Sequence, residues 1–490
     1  MSAIPGLSLK SKAEAAASDD GELYEARKAI YPQSVSGTFR NIKWGLLIVG
    51  MLIYYFLPFV RWDRGPEQPS QAVLMDMTRE KFFFFGIEIW PQEVYYVTGL
   101  LILASFTLFL MNAVAGRIWC GYLCPQTVWT DLFLLIERWT QGDRRDRMKK
   151  AKRPWNLETV VEAMLKHSLW LMIAWWTGGA WVLYFEDAPT LVKQLATFQA
   201  PAEAYIWIVI LTASTYVLAG FAREQVCIYM CPWPRIQAAL TDEWALNVTY
   251  RVDRGEPRGS LKKNKQLQAE NKPAGDCVDC GQCVAVCPTG VDIRGGLNMG
   301  CIQCGLCIDA CDAVMTKIGK PIRLIAYDTD DNIRRREEGL PALKPKIFRA
   351  RTILYMALIA IVGGMMSFTL ATRRSLGVDV MHDRNPIYVA LSDGSVRNAY
   401  TVRVLNQKGF TRDFKLSMTG LPQGLLGIQG QPAAPEGVPI TVSADQTLEL
   451  RVLVTTAPGA NLPSSTPIQM ILTDAKTGEQ AKKADFFKSP

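Results

Sequence analysis

Five stretches of this chain carry no charged side chain: Trp44–Val60, Val94–Gly116, Ser168–Phe185, Ala204–Ala222 and Thr352–Thr372. Each approaches the roughly 20 residues that a helix needs to cross the hydrocarbon of a bilayer. The expected architecture is therefore a membrane-embedded α-helical bundle of five spans, with every other segment distributed to its two sides. The first stretch is the shortest at 17 residues, a rise of about 26 Å, although Tyr54, Tyr55 and Trp62 supply interfacial aromatics at its far end.

Lys and Arg in the short loops set the orientation. Arg117 to His167 contains ten of them, including Arg144, Arg145, Arg147, Lys149, Lys150, Lys152 and Arg153, whereas Glu186 to Glu203 contains only Lys193. The basic loop is expected to face the cytoplasm. That places Arg223–Arg351 inside, and Arg61–Glu93, Glu186–Glu203 and everything after Thr372 outside. The net charge of +8 gathers beside the apolar stretches, so it reads as membrane topology rather than nucleic-acid binding. Residues 1–40 lack the apolar core of a signal peptide and read as a cytosolic tail. Residues 41–235 hold four spans, 236–350 a cytoplasmic segment, 351–373 the fifth span and 374–490 an exported domain. In that last part the short runs Ile387–Leu391, Ala399–Leu405, Asp413–Met418, Ile440–Ser443, Leu448–Thr455 and Pro467–Leu472 are parted by Gly, Pro, Asn and Asp. They predict an all-β immunoglobulin-like sandwich without a disulfide.

Twelve cysteines against two histidines, His167 and His382, make thiolate chemistry dominant. All twelve lie at or beyond the expected cytoplasmic ends of spans, in the compartment where thiols persist. The strongest pattern is Cys277-x2-Cys280-x2-Cys283-x3-Cys287-Pro288 followed by Cys301-x2-Cys304-x2-Cys307-x3-Cys311. Three thiolates of one such run wrap one 4Fe-4S cluster and the fourth ligates the other. One cluster is expected on Cys277, Cys280, Cys283 and Cys311, the second on Cys301, Cys304, Cys307 and Cys287, in a ferredoxin-like segment at about 270–320. Gly281 and Gly305 suit close backbone approach. Structural zinc prefers two separated pairs and fits this spacing poorly. The second run ends in Cys311-Asp312 rather than Cys-Pro.

A second pattern occurs twice: Cys120-Gly121-Tyr122-Leu123-Cys124-Pro125 after the second span and Cys227-Ile228-Tyr229-Met230-Cys231-Pro232 after the fourth. On a helix, cysteines at i and i+4 share a face, and the proline favours a break after the second thiol. The two pairs are expected to converge at one depth into a four-thiolate site. Such a site favours Cu(I) and also accepts zinc or a third iron–sulfur cluster; the alternative is four buried cysteines with no ligand role. His167 reads as an interfacial side chain, Met381-His382 as part of a linker, and Met365-Met366 as a lipid or helix contact. Phe82–Phe85, Trp90, Tyr95 and Tyr96 read as an aromatic belt rather than a quinone site.

With these features assembled, the sequence resembles the cytochrome c oxidase accessory protein family, CcoG/FixG, also called RdxA. The likeness extends to Phe85–Glu93, Trp119–Trp129 and Arg254–Gly259, and the Cys311-Asp312 ending is shared with that family. It implies reduction of Cu(II) to Cu(I), and with the residues above the expected function is a membrane cupric reductase in which electrons pass from a cytosolic donor through the two 4Fe-4S clusters to copper held near Cys120, Cys124, Cys227 and Cys231. The implied partners are copper delivery proteins and subunits of cbb3-type cytochrome oxidase. Two other functions fit the same residues. One is a quinol-linked electron-transfer subunit, weakened by the lack of a histidine pair for haem; the other is a non-enzymatic scaffold for oxidase assembly.

Overall fold

The computed structural model describes residues 29–65, 68–373, 376–444, 446–460 and 462–490, so most of the expected cytosolic tail lies outside the described residues. Among the described residues, four helices are long and apolar enough to cross a membrane: Thr38–Phe59, Tyr95–Ala115, Ala202–Ala222 and Ala350–Ala371. In chain order the helices that matter below are α1 (Thr38–Phe56), α2 (Tyr95–Ala115), α3 (Ile118–Tyr122), α4 (Pro125–Gln141), α5 (Leu157–Val182), α6 (Ala202–Thr215), α7 (Trp233–Leu240), α8 (Leu306–Lys317) and α9 (Ala350–Ala371). The stretch read as a third span lies in α5, a 26-residue helix outside that group of four. Its apolar half carries Trp170, Trp175, Trp176, Gly178, Gly179 and Trp181, and indole N–H groups and glycines lower hydropathy without shortening the helix.

The first helix begins at Thr38 rather than at Trp44, which removes the shortfall in its length. The sequence places Arg40 and Lys43 where a span would end, yet they are only 5% and 2% exposed. Both converge on Asp131 of α4, at 3.1 and 2.9 Å, and a buried charge is tolerated when paired in this way. The start of α1 is held from elsewhere: the backbone N–H groups of Phe39 and Arg40 donate to the two carboxylate oxygens of Asp309 at 3.2 and 2.8 Å. A helix N-terminus leaves such donors open unless a side chain accepts them. Gly37 is required there, because a Cβ would lie 2.4 Å from Asp309 Cγ.

The chain forms two compact units. One combines residues up to Met51 with Leu108–Gly178 and Val209–Ile353, and contains all twelve cysteines. Its cysteine-rich part is closed by an antiparallel pair, β4 (Asn247–Tyr250) and β5 (Ile325–Asp328), in which Val248 faces Tyr327. Val248, Tyr250, Ile308, Met315, Leu324 and Ile325 pack there with Cys277, Cys283 and Cys311. The expected segment at about 270–320 is thus framed by strands from outside it.

The other unit comprises Leu52–Thr107, Gly179–Ile208 and Leu354–Pro490. Within it β1 (Val73–Asp76), β2 (Lys81–Phe84) and β3 (Ile87–Ile89) form a small antiparallel sheet, a structure not anticipated for this loop. The C-terminal part is the expected sandwich. One sheet contains β6 (Leu376–His382), β7 (Val389–Ala390), β8 (Val396–Asn406), β10 (Leu425–Ile428) and β12 (Thr447–Thr455). The other contains β9 (Arg412–Thr419), β11 (Val438–Val442), β13 (Ser465–Asp474) and β14 (Gln480–Lys488). Tyr400, Val402 and Val404 of β8 meet Phe414, Leu416, Met470 and Leu472 in the core between them. Met381 and His382 correct their reading as linker: they end β6, paired with β8, and His382 Nε2 lies 2.7 Å from Asn398 Oδ1.

Candidate functional site

The two cysteine runs fold around two separate small cavities. One is lined by Cys277, Cys280, Cys283 and Cys311 together with Tyr250 and Leu324. The other is lined by Cys301, Cys304, Cys307, Cys287 and Cys283, with Val248, Ile293 and Leu306 beside them. Each cavity therefore has three thiols of one run and reaches into the other run, the first for Cys311 and the second for Cys287, with Cys283 lining both. The backbone makes this possible where Gly281 and Gly305 take left-handed conformations, at φ 65° and 72°, immediately before α8 and a shorter helical turn, Gln282–Ala285. An L side chain adopts that conformation at a penalty.

All twelve cysteines are free thiols. Among the described residues, no group of three or more His, Cys, Asp or Glu side chains is placed to hold a single metal ion. A zinc ion needs its sulfurs about 2.3 Å from one centre, whereas a cubane needs them spread around a larger body, as the cavity walls spread them. Burial pushes the Cys283 thiol up to about 11 and those of Cys301 and Cys311 up to about 12. Ligation requires thiolates, so a cluster in these cavities is bound with release of protons. The residues present fit two 4Fe-4S clusters.

The paired motifs are built differently from the expectation of two thiols on one helical face. Cys120 lies in α3, but Cys124 has extended backbone and caps α4, with Pro125 as its first residue. Cys227 lies in a wide π-type turn, Val226–Met230, and Cys231 is again extended, ahead of Pro232 and α7. The break falls at the second thiol, because the residue before a proline avoids helical backbone. The two pairs do share one neighbourhood. Burial, then Cys124 and Cys227, push the Cys120 thiol up to about 12; burial, then Cys124 and Cys231, push Cys227 up to about 11.

This neighbourhood abuts the second cavity. A Cβ on Gly121 would stand 2.7 Å from the carbonyl oxygen of Ile302 and 3.0 Å from Cys304 Cα, so only glycine admits the cluster loop so closely. Tyr122 Oη donates to the Cys304 carbonyl at 2.9 Å, and Cys120 packs on the core formed by Val286, Ile302, Cys304 and Leu306. Arg117 ties the same parts together: its backbone N–H donates to Gln303 Oε1 at 2.7 Å and its guanidinium to the carbonyls of Pro234, at 2.7 Å, and Met299. Sequence reasoning counted Arg117 only as a topogenic charge and missed Gln303, Tyr122 and Asp309. All three stand between motif cysteines, Gln303 between Cys301 and Cys304, Tyr122 between Cys120 and Cys124 and Asp309 between Cys307 and Cys311, but nothing in the spacing tells what they contact.

Comparison with known proteins agrees with this geometry. Residues 222–330 match the 4Fe-4S dicluster domain family, residues 97–141 a 4Fe-4S binding domain, and residues 366–490 the IG-like fold at the C-terminal of FixG. The chain is 48% identical to protein RdxB of Cereibacter sphaeroides, covering 95% of this chain and 97% of that one. It is 44% identical to the nitrogen fixation protein FixG of Rhizobium meliloti, covering 96% and 94%. The crystal structure of a FixG-related protein from Vibrio parahaemolyticus is 25% identical and spans 24% of this chain and 97% of that one, with a TM-score of 0.21. Two thiol-lined cavities, helices fit for a membrane and near-complete coverage of these relatives converge on one conclusion: the chain is a 4Fe-4S redox protein of the FixG/RdxA/RdxB family.

Proposed function

We propose that the chain is a cupric reductase of the bacterial inner membrane, reducing Cu(II) to Cu(I) for the copper site of cbb3-type cytochrome oxidase. The observation that carries this reading is the direct seating of the Cys120–Cys124 segment on the cluster loop, through Gly121 and Tyr122. Cys277, Cys280, Cys283 and Cys311 would hold one 4Fe-4S cluster, and Cys301, Cys304, Cys307 and Cys287 the other. Such clusters supply one-electron transfer when bound. Cys120, Cys124, Cys227 and Cys231 would receive the substrate ion, which requires their thiols to draw together from the positions they hold here; the ion gains one electron, and soft sulfur favours the Cu(I) product over Cu(II). Because burial raises the Cys120 and Cys227 thiols, copper binding there displaces protons and weakens as the pH falls. A cytosolic donor supplies the electron, and copper delivery proteins and oxidase subunits take the product.

Double replacement of Cys120 and Cys124 by Ala, or of Cys227 and Cys231, is expected to abolish Cu(II) reduction while leaving the iron content unchanged. Anaerobic rate measurement beside iron analysis checks this. Undiminished reduction in both variants would reject the copper site. Loss of iron together with the activity would instead assign the four cysteines to a third cluster.

Five membrane crossings, counting α5, agree with the Lys and Arg asymmetry and put the cysteines inside. A reporter fused after Pro490 should then be active only outside the cytoplasm, and one inserted between Arg258 and Cys277 only inside. Activity of both on one side would overturn the five-span arrangement.

A further inference from the structure

The cations around the two thiol-lined cavities are disposed unequally. Arg294 lines the first cavity and pairs with Asp279 and Asp292, while Arg254 and Lys320 share Asp276, next to Cys277. Each of these charges meets a carboxylate. Toward the second cavity, Arg40 and Lys43 share Asp131. Arg117 differs: among the described residues it has no carboxylate partner.

Arg117 is 8% exposed, and its guanidinium is held by main-chain oxygens. Nη2 donates to the carbonyl of Pro234 at 2.7 Å, and Nη1 to the carbonyls of Met299 and, at 3.4 Å, of Cys301. Pro234 follows the Cys227–Cys231 motif, Cys301 opens the second cysteine run, and Arg117 itself stands three residues before Cys120. The cation is thus clamped where the second run and both paired motifs come together. Burial pulls it below its ordinary range, and the groups acting against burial are the thiols of Cys120 and Cys301. A buried cation without an anion is expensive. A cluster held by Cys301, Cys304, Cys307 and Cys287 would supply the missing negative charge.

A 4Fe-4S site with four thiolates is anionic and becomes more so when it takes an electron, and the charge and solvent around it set its potential. A fixed cation beside such a site favours its reduced form. The effect is strongest where water is excluded. Cys304 is 6% exposed, whereas Cys280 of the first site is open to solvent.

We infer that Arg117 is a positioning residue for electron transfer: its uncompensated charge makes the site of Cys301, Cys304, Cys307 and Cys287 the electron-receiving one, beside the paired motifs. One electron leaves the site of Cys277, Cys280, Cys283 and Cys311, which is oxidised, and enters the other, which is reduced. A cytosolic one-electron donor then restores the first site. This inference rests on the two-cluster reading and is independent of the copper acceptor.

Redox titration of the anaerobically purified full chain in detergent, without copper and followed by electron paramagnetic resonance, tests it. A wild type without iron would reject the two-cluster reading, and this inference with it; where two reduction steps are present, only the role of Arg117 is at stake. Arg117→Gln should lower the step of higher potential by about 59 mV, a tenfold loss in the equilibrium constant of a one-electron couple, and move the other step much less. Arg117→Lys keeps the charge but lacks the planar fork that reaches several carbonyls, and should hold the wild-type potential. If Arg117→Gln sheds its iron, Arg117→Lys decides alone: a wild-type potential supports the charge, and a lowered one overturns it. Coincident steps in the wild type, an unshifted higher step in Arg117→Gln, or equal displacement of both steps would overturn the proposal. So would a Lys variant that falls as far as the Gln variant, or loss of iron from both, which would leave Arg117 a structural role only.

Discussion

Removing Cys280 and Cys311 together by substitution with Ala is expected to leave about four of about eight irons per chain, whereas removing Cys280 and Cys287 is expected to leave almost none. The contrast follows from which thiols share a cavity. Cys280 and Cys311 line the same one although they stand in different runs, while Cys287 lines the other. If each run instead bound its own cluster, the two results would be exchanged: the first pair would strike both clusters and the second only one. Iron analysis with electron paramagnetic resonance of the anaerobically purified protein reads the difference directly. A result in which both variants lose the same amount of iron would reject crossed ligation.

Asp131→Asn is expected to destabilise the protein by about 3–5 kcal/mol, the range for breaking a buried ion pair by removing one partner. The carboxylate serves two cations, Arg40 and Lys43, whose side chains are 7% and 2% exposed. Burial alone would raise its pKa, but Lys43 and Arg40 outweigh burial and hold it below the usual carboxylate range. A carboxylate lowered in this way contributes stability above its unfolded pKa and loses it as the pH falls through the folded value. The wild-type protein should therefore lose thermal stability on acidification through that range, and Asp131→Asn should lose less. Thermal unfolding in detergent measures both effects. Replacing all three residues with apolar side chains should recover most of the loss, because a whole buried triad is often exchanged at little penalty. Equal melting of wild type and Asp131→Asn would show that the ion pairs contribute nothing net.

The parts of this molecule that could be read from the sequence are those set by spacing along the chain. Both cysteine runs place their thiols by local geometry, and the alternation in Tyr400–Leu405 and Leu448–Val452 appears as β8 and β12. What escaped depends on residues distant in sequence. Arg40 and Lys43 looked like the charges that end a span, because Asp131 cannot be identified as their partner from sequence alone. Gly121 matters through the side chain it lacks, and nothing in the motif tells which backbone fills the space. Strand β14 escaped for a different reason. Lys482, Lys483 and Asp485 interrupt it, since it borders its sheet and pairs only with β13, leaving much of its length to solvent.

The contact of Asp309 with the start of α1 bears on how the protein is made. Phe39 precedes the side chain that caps it by 270 residues. During synthesis the first membrane helix therefore leaves the ribosome long before its cap exists, and it waits with open backbone donors until the second cysteine run has been translated and folded. Asp309 stands between Cys307 and Cys311, so if that run folds only around its cluster, loading it with iron and seating the first helix would be one late event. Iron starvation would consequently be felt at the N-terminal helix, giving proteases that survey the membrane a loose end by which to distinguish immature chains from finished ones.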